Sequence, residues 1–308
     1  MKKRVIYELK GLYRDSLRVT GYEFGKGKKS ICIVGTMRGN EVQQLYCCSQ
    51  LVKKFKQLEE EGRIAPNHKI LIIPSCNPYS LNIQKRFWPT DNTDINRMYP
   101  GYDQGETTQR IAAGIFNAIK DYEYGIQFCS NYLNGRFVPN ISVMNTGYED
   151  IEHAKLFGLP YVEYRRTKPY DTATLNYNWQ IWACKAFSFY TASNGNIDKE
   201  SSVQAVEAVI RFLSKIGILN YKVAPGYESQ VIDTKDLITV RTRAAGIFEP
   251  AVDAGDTVYE GQVLARILDP LNGEVLSEAK ASCDGIIFYM YDGQLIYDKT
   301  SAFKIIPM

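Results

Sequence analysis

The chain has 308 residues, 45% apolar and 23% charged, which suits a folded α/β domain with a smaller module and excludes a disordered protein. Its 37 basic and 34 acidic residues give a net charge of +3 with no basic stripe, so a nucleic-acid partner has no support. The seven cysteines show no CxxC or CxxxC spacing and there are only two histidines, His68 and His153, which argues against a disulfide framework and against a zinc ribbon.

At the start, the basic Met1-Lys2-Lys3-Arg4 is followed by Glu8, Lys10 and Arg14 before any apolar run of signal-peptide length. No segment reaches the ~20 apolar residues of a membrane span. The expectation is a cytoplasmic protein with no membrane association. Residues 31–34 (ICIV) and 69–74 (KILIIP) are short apolar runs predicted as buried strands. Between them, from Glu41 to about Glu61, Val42, Leu45, Tyr46, Ser49, Val52 and Phe55 recur at helical spacing. The pattern then predicts a helix over 107–120, strands near 124–128 and 141–144, a helix at about 148–157 and a strand at 160–164. A strand at 186–191 and a long amphipathic helix at 199–216 complete this part. Such alternation implies a mostly parallel mixed sheet flanked by helices over residues 1–225.

Past Asn220 the texture changes to apolar/polar alternation with turns at Gly246, Gly255-Asp256, Gly261 and Asp269-Pro270. Residues 226–308 are therefore expected to form an all-β, barrel-like module, with Ala224-Pro225-Gly226 as the boundary. The stretch AGDTVYEGQVLARI resembles a lipoyl or biotinyl carrier barrel, but the expected hairpin tip, residues 269–273, has no lysine to carry a cofactor. Lys280 falls in the returning strand, so a structural or lid role is expected for this module.

Three segments of the large domain carry the chemistry: VGTMRGNE at 34–41, NPYSLNIQKRFWPTDNTDINRMYPG at 77–101, and GIQFCSN at 125–131. Taken together they resemble the succinylglutamate desuccinylase/aspartoacylase family, zinc-dependent deacylases with a carboxypeptidase-like fold. The resemblance implies a zinc-carboxypeptidase-like α/β domain followed by the β module. It places the family's two zinc histidines on Arg38 and Cys129, its glutamate ligand on Glu41, and its catalytic glutamate on Tyr190. Arg86, Asn96 and Arg97 fall where the family holds substrate carboxylates.

Arginine stays protonated and has no lone pair to offer a cation, so Arg38 is expected to pair with Glu41 in place of the metal. Glu41 and Cys129 alone give two protein ligands where catalytic zinc usually has three. No bound metal or other cofactor is expected, although the family uses zinc. As a phenol, Tyr190 is a poor general base at neutral pH; Asp198 and Glu200 lie beyond the next turn. The leading expectation is thus a non-catalytic homologue that binds a small acidic or amino-acid-like ligand or serves as partner to an active paralogue, or forms a homo-oligomer. The alternative is a divergent hydrolase of N-acyl amino acids or related amides with Cys129 as nucleophile or thiolate ligand.

Overall fold

In a computed structural model the described residues are 1–11, 16–130, 135–193 and 196–308. The large domain contains β1 (Lys2–Leu9), β2 (Leu17–Gly25), β3 (Lys28–Thr36), β4 (His68–Ser75), β5 (Tyr124–Cys129), β6 (Arg136–Phe137), β7 (Asn140–Asn145), β8 (Tyr161–Arg166) and β9 (Lys185–Tyr190). Its helices are α1 (Val42–Glu60), α2 (Pro78–Asn82), α3 (Thr107–Ile119), α4 (Ile151–Lys155), α5 (Leu175–Ile181) and α6 (Lys199–Lys215). The strand β10 (Gln230–Asp233) follows, and with it nine strands form one sheet in the order β1-β2-β4-β3-β5-β9-β7-β8-β10. The inner strands β3, β4, β5 and β9 run parallel, while β7 is antiparallel to β9.

Strand β3 shows why a continuous apolar run marks the centre of such a sheet, since its alternate side chains feed two separate cores. Ile31 and Ile33 pack with Cys47, Leu51 and Phe55 of α1 and with Ala205, Val209 and Phe212 of α6. Cys32 and Val34 point the other way, toward Ile111, Ile115 and Phe116 of α3 and Trp179 of α5. The expected mixed sheet with helices on both faces is therefore what forms.

Several local features differ from the sequence expectation, among them α2 and α5, which form where no helix is predicted. The antiparallel hairpin of β1 and β2 adds two strands that the sequence reading does not include: β1 is mostly exposed, which masks its period, whereas β2 lies inside the sheet and alternates buried Leu17 and Val19 with exposed Arg18 and half-buried Thr20. The helix expected at about 148–157 is only α4, started by Asp150, whose side chain accepts from the His153 backbone N–H at 3.0 Å. Residues 230–233, assigned by texture to the module, instead pair in parallel with β8 as the outermost strand of the large sheet.

Beyond it, β11 (Ile238–Arg241), β12 (Gly246–Pro250), β13 (Thr257–Val258), β14 (Val263–Leu268), β15 (Val275–Lys280), β16 (Gly285–Met290), β17 (Leu295–Ile296) and β18 (Ser301–Pro307) form two antiparallel sheets. They enclose their own core of Val258, Leu264, Ile267, Ile287, Phe303 and Ile305. The module is tied to the large domain by β6, which pairs with β16, and by Tyr161 packed edge-on to Phe288. Lys280 ends β15, its ammonium 3.0 Å from Glu278. Among the described residues no helix is long and apolar enough to cross a membrane.

Candidate functional site

Parallel sheets place ligands outside the carboxyl ends of their strands, and here β3, β5 and β9 end side by side, with Cys129 registered against Tyr190. From the end of β3 the chain turns through Met37–Asn40 into α1. Gly39 makes this turn possible, because a Cβ there would lie 2.0 Å from the Ser80 carbonyl oxygen. The turn carries Arg38 and Glu41 inward, 5% and 2% exposed.

Glu41 is held by four donors. The backbone N–H groups of Met37 and Arg38 reach Oε2 at 2.8 and 2.9 Å. Arg38 Nη1 and Ser130 Oγ reach Oε1 at 3.0 and 2.5 Å. The rest of the guanidinium faces Asp94, with Nε at 3.0 Å and Nη2 at 2.9 Å from Oδ2. Asp94 is fixed in turn by the Asn96 backbone N–H at 3.1 Å. Burial alone would lower the pKa of Arg38, but the charges of Glu41 and Asp94 outweigh it and raise it. The guanidinium is thus a permanent buried cation between two carboxylates.

Around it lies a cavity of about 70 Å³ lined by Arg38, Asn96, Arg97, Cys129, Arg165, Asn176 and Tyr190, with polar groups also from Gln127, Ser130, Asp171 and Ser188. That space equals roughly two water molecules' share of the liquid, enough for a carboxylate or amide head group. Gln127 and Ser188 line it side by side on β5 and β9, and Ser142 of β7 continues this polar row beyond the cavity lining. Asn176 of α5 bridges this row, donating to Gln127 Oε1 at 2.9 Å and Ser188 Oγ at 2.8 Å. Its own Oδ1 is buried without a hydrogen-bond partner among the described residues. Arg165, at the end of β8, forms a two-pronged pair with Asp171 at 2.8 and 3.2 Å. Arg97 donates to the Tyr170 carbonyl at 2.6 Å and stacks 4.8 Å from that ring.

Of the residues singled out by sequence, Arg38, Asn96, Arg97, Cys129 and Tyr190 meet at this cavity, and Glu41 braces it. Arg86 is not among the lining residues and sets its guanidinium 5.7 Å from the Phe87 ring. Both histidines lie elsewhere: His68 starts β4, 2.8 Å from Ser30 Oγ, and His153 lies in α4 beside Asp150 and Tyr124. Asp198 caps α6. Asn131, the last residue of the third segment, and Asn194 and Gly195, where the sequence predicts a turn, lie outside the described residues. Arg165, Asp171, Asn176 and Ser188 were not singled out. The available signal was a polar residue interrupting two apolar strands, Gln127 in YGIQFC and Ser188 in KAFSFY.

Burial pushes the Cys129 thiol up to about 12, despite the Ser188 hydroxyl beside it. Burial likewise drives the Tyr190 phenol well above its ordinary value. A thiol in that state holds little thiolate, the reactive form. Carbamidomethylation of Cys129 by iodoacetamide at mildly alkaline pH, followed by peptide mass mapping, is therefore expected to run at least roughly a hundredfold slower than for an unhindered thiol. Rapid selective labelling would restore Cys129 as a candidate nucleophile. Among the described residues, no group of three or more His, Cys, Asp and Glu is placed to hold a metal ion.

Residues 27–216 match the family model described as the succinylglutamate desuccinylase/aspartoacylase catalytic domain. The N-alpha-acetyl-L-2,4-diaminobutyric acid deacetylase of Halomonas elongata is 24% identical over 283 residues, covering 87% of this chain and 79% of that protein. Among solved structures, a succinylglutamate desuccinylase from Silicibacter sp. TM1040 superimposes with a TM-score of 0.79 at 19% identity, covering 94% of this chain and 88% of that one. The product-bound ectoine utilization protein EutE (DoeB) of Ruegeria pomeroyi gives a TM-score of 0.77 at 18% identity, covering 95% and 90%.

Proposed function

The chain belongs to the succinylglutamate desuccinylase/aspartoacylase family, and from that premise we propose that it is a non-catalytic member that binds a small amino-acid-like ligand. The observation that carries this reading is the Arg38 guanidinium, held between Glu41 and Asp94 where the family resemblance places a metal histidine. The donor set does not suit a divalent cation. Arg38 offers no lone pair, Glu41 already accepts from four donors, and Cys129 is a protonated thiol. A cation entering here would also meet the positive charge of Arg38 in a medium of low dielectric.

Hydrolysis would further need a base to take a proton from water, and the residue on which the family resemblance places that base, Tyr190, is a phenol whose pKa burial raises. What persists is recognition chemistry. Arg97 suits a ligand carboxylate, and Asn176 Oδ1 suits a ligand N–H, since a buried acceptor without a donor costs free energy until one is supplied. A carboxylate and an N–H on one small molecule describe an amino acid or an N-acyl amino acid. We place the protein in the cytoplasm, because seven free thiols suit a reducing compartment.

The test uses N-alpha-acetyl-L-2,4-diaminobutyric acid, the compound in the Halomonas relative's name, with N-acetyl-aspartate and N-succinyl-glutamate beside it. Isothermal titration is expected to show saturable binding of at least one, weakened about tenfold or more by Arg97→Ala, with no acetate or succinate released. Release of either acid that Arg97→Ala or Glu41→Ala abolishes would overturn the proposal in favour of the divergent hydrolase.

A further inference from the structure

A second concavity lies apart from this pocket, between the outer faces of α1 and α6. The two helices start side by side, joined by Gln43, whose amide donates at 3.1 Å to Ser201, Ser202 and the Asp198 carbonyl. Beside them lies a groove of about 650 Å³ whose apolar lining includes Val203, Val206, Ile210 and Val223. Val203 is 58% exposed. The rim carries Lys53, Lys54, Lys199 and Lys222 against a single carboxylate, Glu207. None of these four lysines forms an ion pair among the described residues; Lys54 lies 5.1 Å over the Tyr221 ring.

Residues 221–224 also line the groove and form neither helix nor strand. The backbone groups of residues 221–223 have no hydrogen-bond partner among the described residues, although their neighbours do: the Asn220 N–H reaches Arg63 and the Ala224 carbonyl accepts from Arg211. Apolar lining, cationic rim and unpaired main chain therefore border one space. Along α1 it runs from Tyr46 to Gln57, roughly 16 Å at the helical rise, or the reach of about five extended residues.

We propose that this groove binds an extended, acidic segment of a partner protein, in which carboxylates alternate with apolar residues. Alternation puts the carboxylates toward the lysines and the apolar side chains onto Val203, Val206 and Ile210, while the segment's main chain pairs with residues 221–223. Recognition of this kind takes affinity from backbone hydrogen bonds and specificity from the side-chain pattern. The cationic rim raises the rate of encounter and makes binding sensitive to salt.

The experiment selects peptides of about nine residues from a random phage-displayed library on the full chain, and measures fluorescein-labelled winners by anisotropy. The expected winners carry acidic residues at alternating positions and weaken about tenfold or more in Lys53→Glu/Lys199→Glu and in Val203→Asp. They weaken also between about 0.05 and about 0.5 M salt, and Arg97→Ala leaves them unchanged. All three substituted positions in the groove are exposed, and circular dichroism checks that each variant folds. No enrichment of acidic peptides would overturn the proposal, as would winners indifferent to the groove variants. Loss of binding in Arg97→Ala would move the peptide to the other pocket, and full displacement by dodecanoate with no main-chain requirement in the peptide would make the groove an acyl-anion site instead.

Discussion

Combining Arg38→His with Cys129→His is expected to yield a chain that binds about one zinc ion, whereas the native chain is expected to bind none. The two imidazoles would join Glu41, giving the three protein ligands that a catalytic zinc site usually has. The partner variants isolate the cause. Cys129→His alone keeps the guanidinium between Glu41 and Asp94 and is expected to stay metal-free, whereas Arg38→His alone removes the cation that competes for Glu41. Dialysis against buffered zinc followed by elemental analysis reads the outcome directly. Equal zinc uptake by Cys129→His with Arg38 in place would show that the guanidinium does not exclude the metal.

Arg38→Ala is expected to destabilise the fold by about 3–5 kcal/mol, the usual cost of leaving buried charge without its partner. Glu41 would retain its two backbone donors and Ser130, and Asp94 its Asn96 N–H, so neither carboxylate is stripped of hydrogen bonds. What each loses is the opposing charge. Urea unfolding at neutral pH measures the loss. The triple change Arg38→Met/Glu41→Gln/Asp94→Asn is expected to recover most of it, because buried ion networks replaced whole by neutral groups of similar volume are often nearly neutral in stability. A loss below about 1 kcal/mol in Arg38→Ala would mean that the pair behaves like a surface ion pair, and that its burial has no energetic consequence.

The sequence made some of this site legible and hid the rest for identifiable reasons. Arg38 and Glu41 are three residues apart on one turn, so their pairing follows from charge and spacing. Asp94 is 56 positions away, and no periodicity reports a contact made by folding the 77–101 loop over the end of β3. Asn96 and Arg97 reach the cavity because Asp94 caps a short 3-10 turn that presents them. Arg86 does not, because its loop turns at residues 88–93, where the backbones of Trp88 and Asn92 and of Trp88 and Thr93 pair. Arg165, Asp171 and Asn176 enter through strand order, since β8 and α5 come near β5 only once β9 and β7 are inserted beside it. Strands β3 and β4 and helices α1, α3 and α6 were readable for the opposite reason, since each carries an apolar run or period that burial enforces, whereas the inner strand β2 and the short helices α2 and α5 are absent from the sequence reading. At β1 and β10, on the two edges of the large sheet, exposure relaxes that period.

Metal content of the native chain tests the central claim most directly. Protein purified without added metal or a histidine tag, then incubated with zinc and desalted, is expected to carry well under about 0.1 zinc per chain, with no rise on reconstitution. One tightly held zinc per chain would contradict the account, because Arg38 could not then occupy the position between Glu41 and Asp94 that defines it.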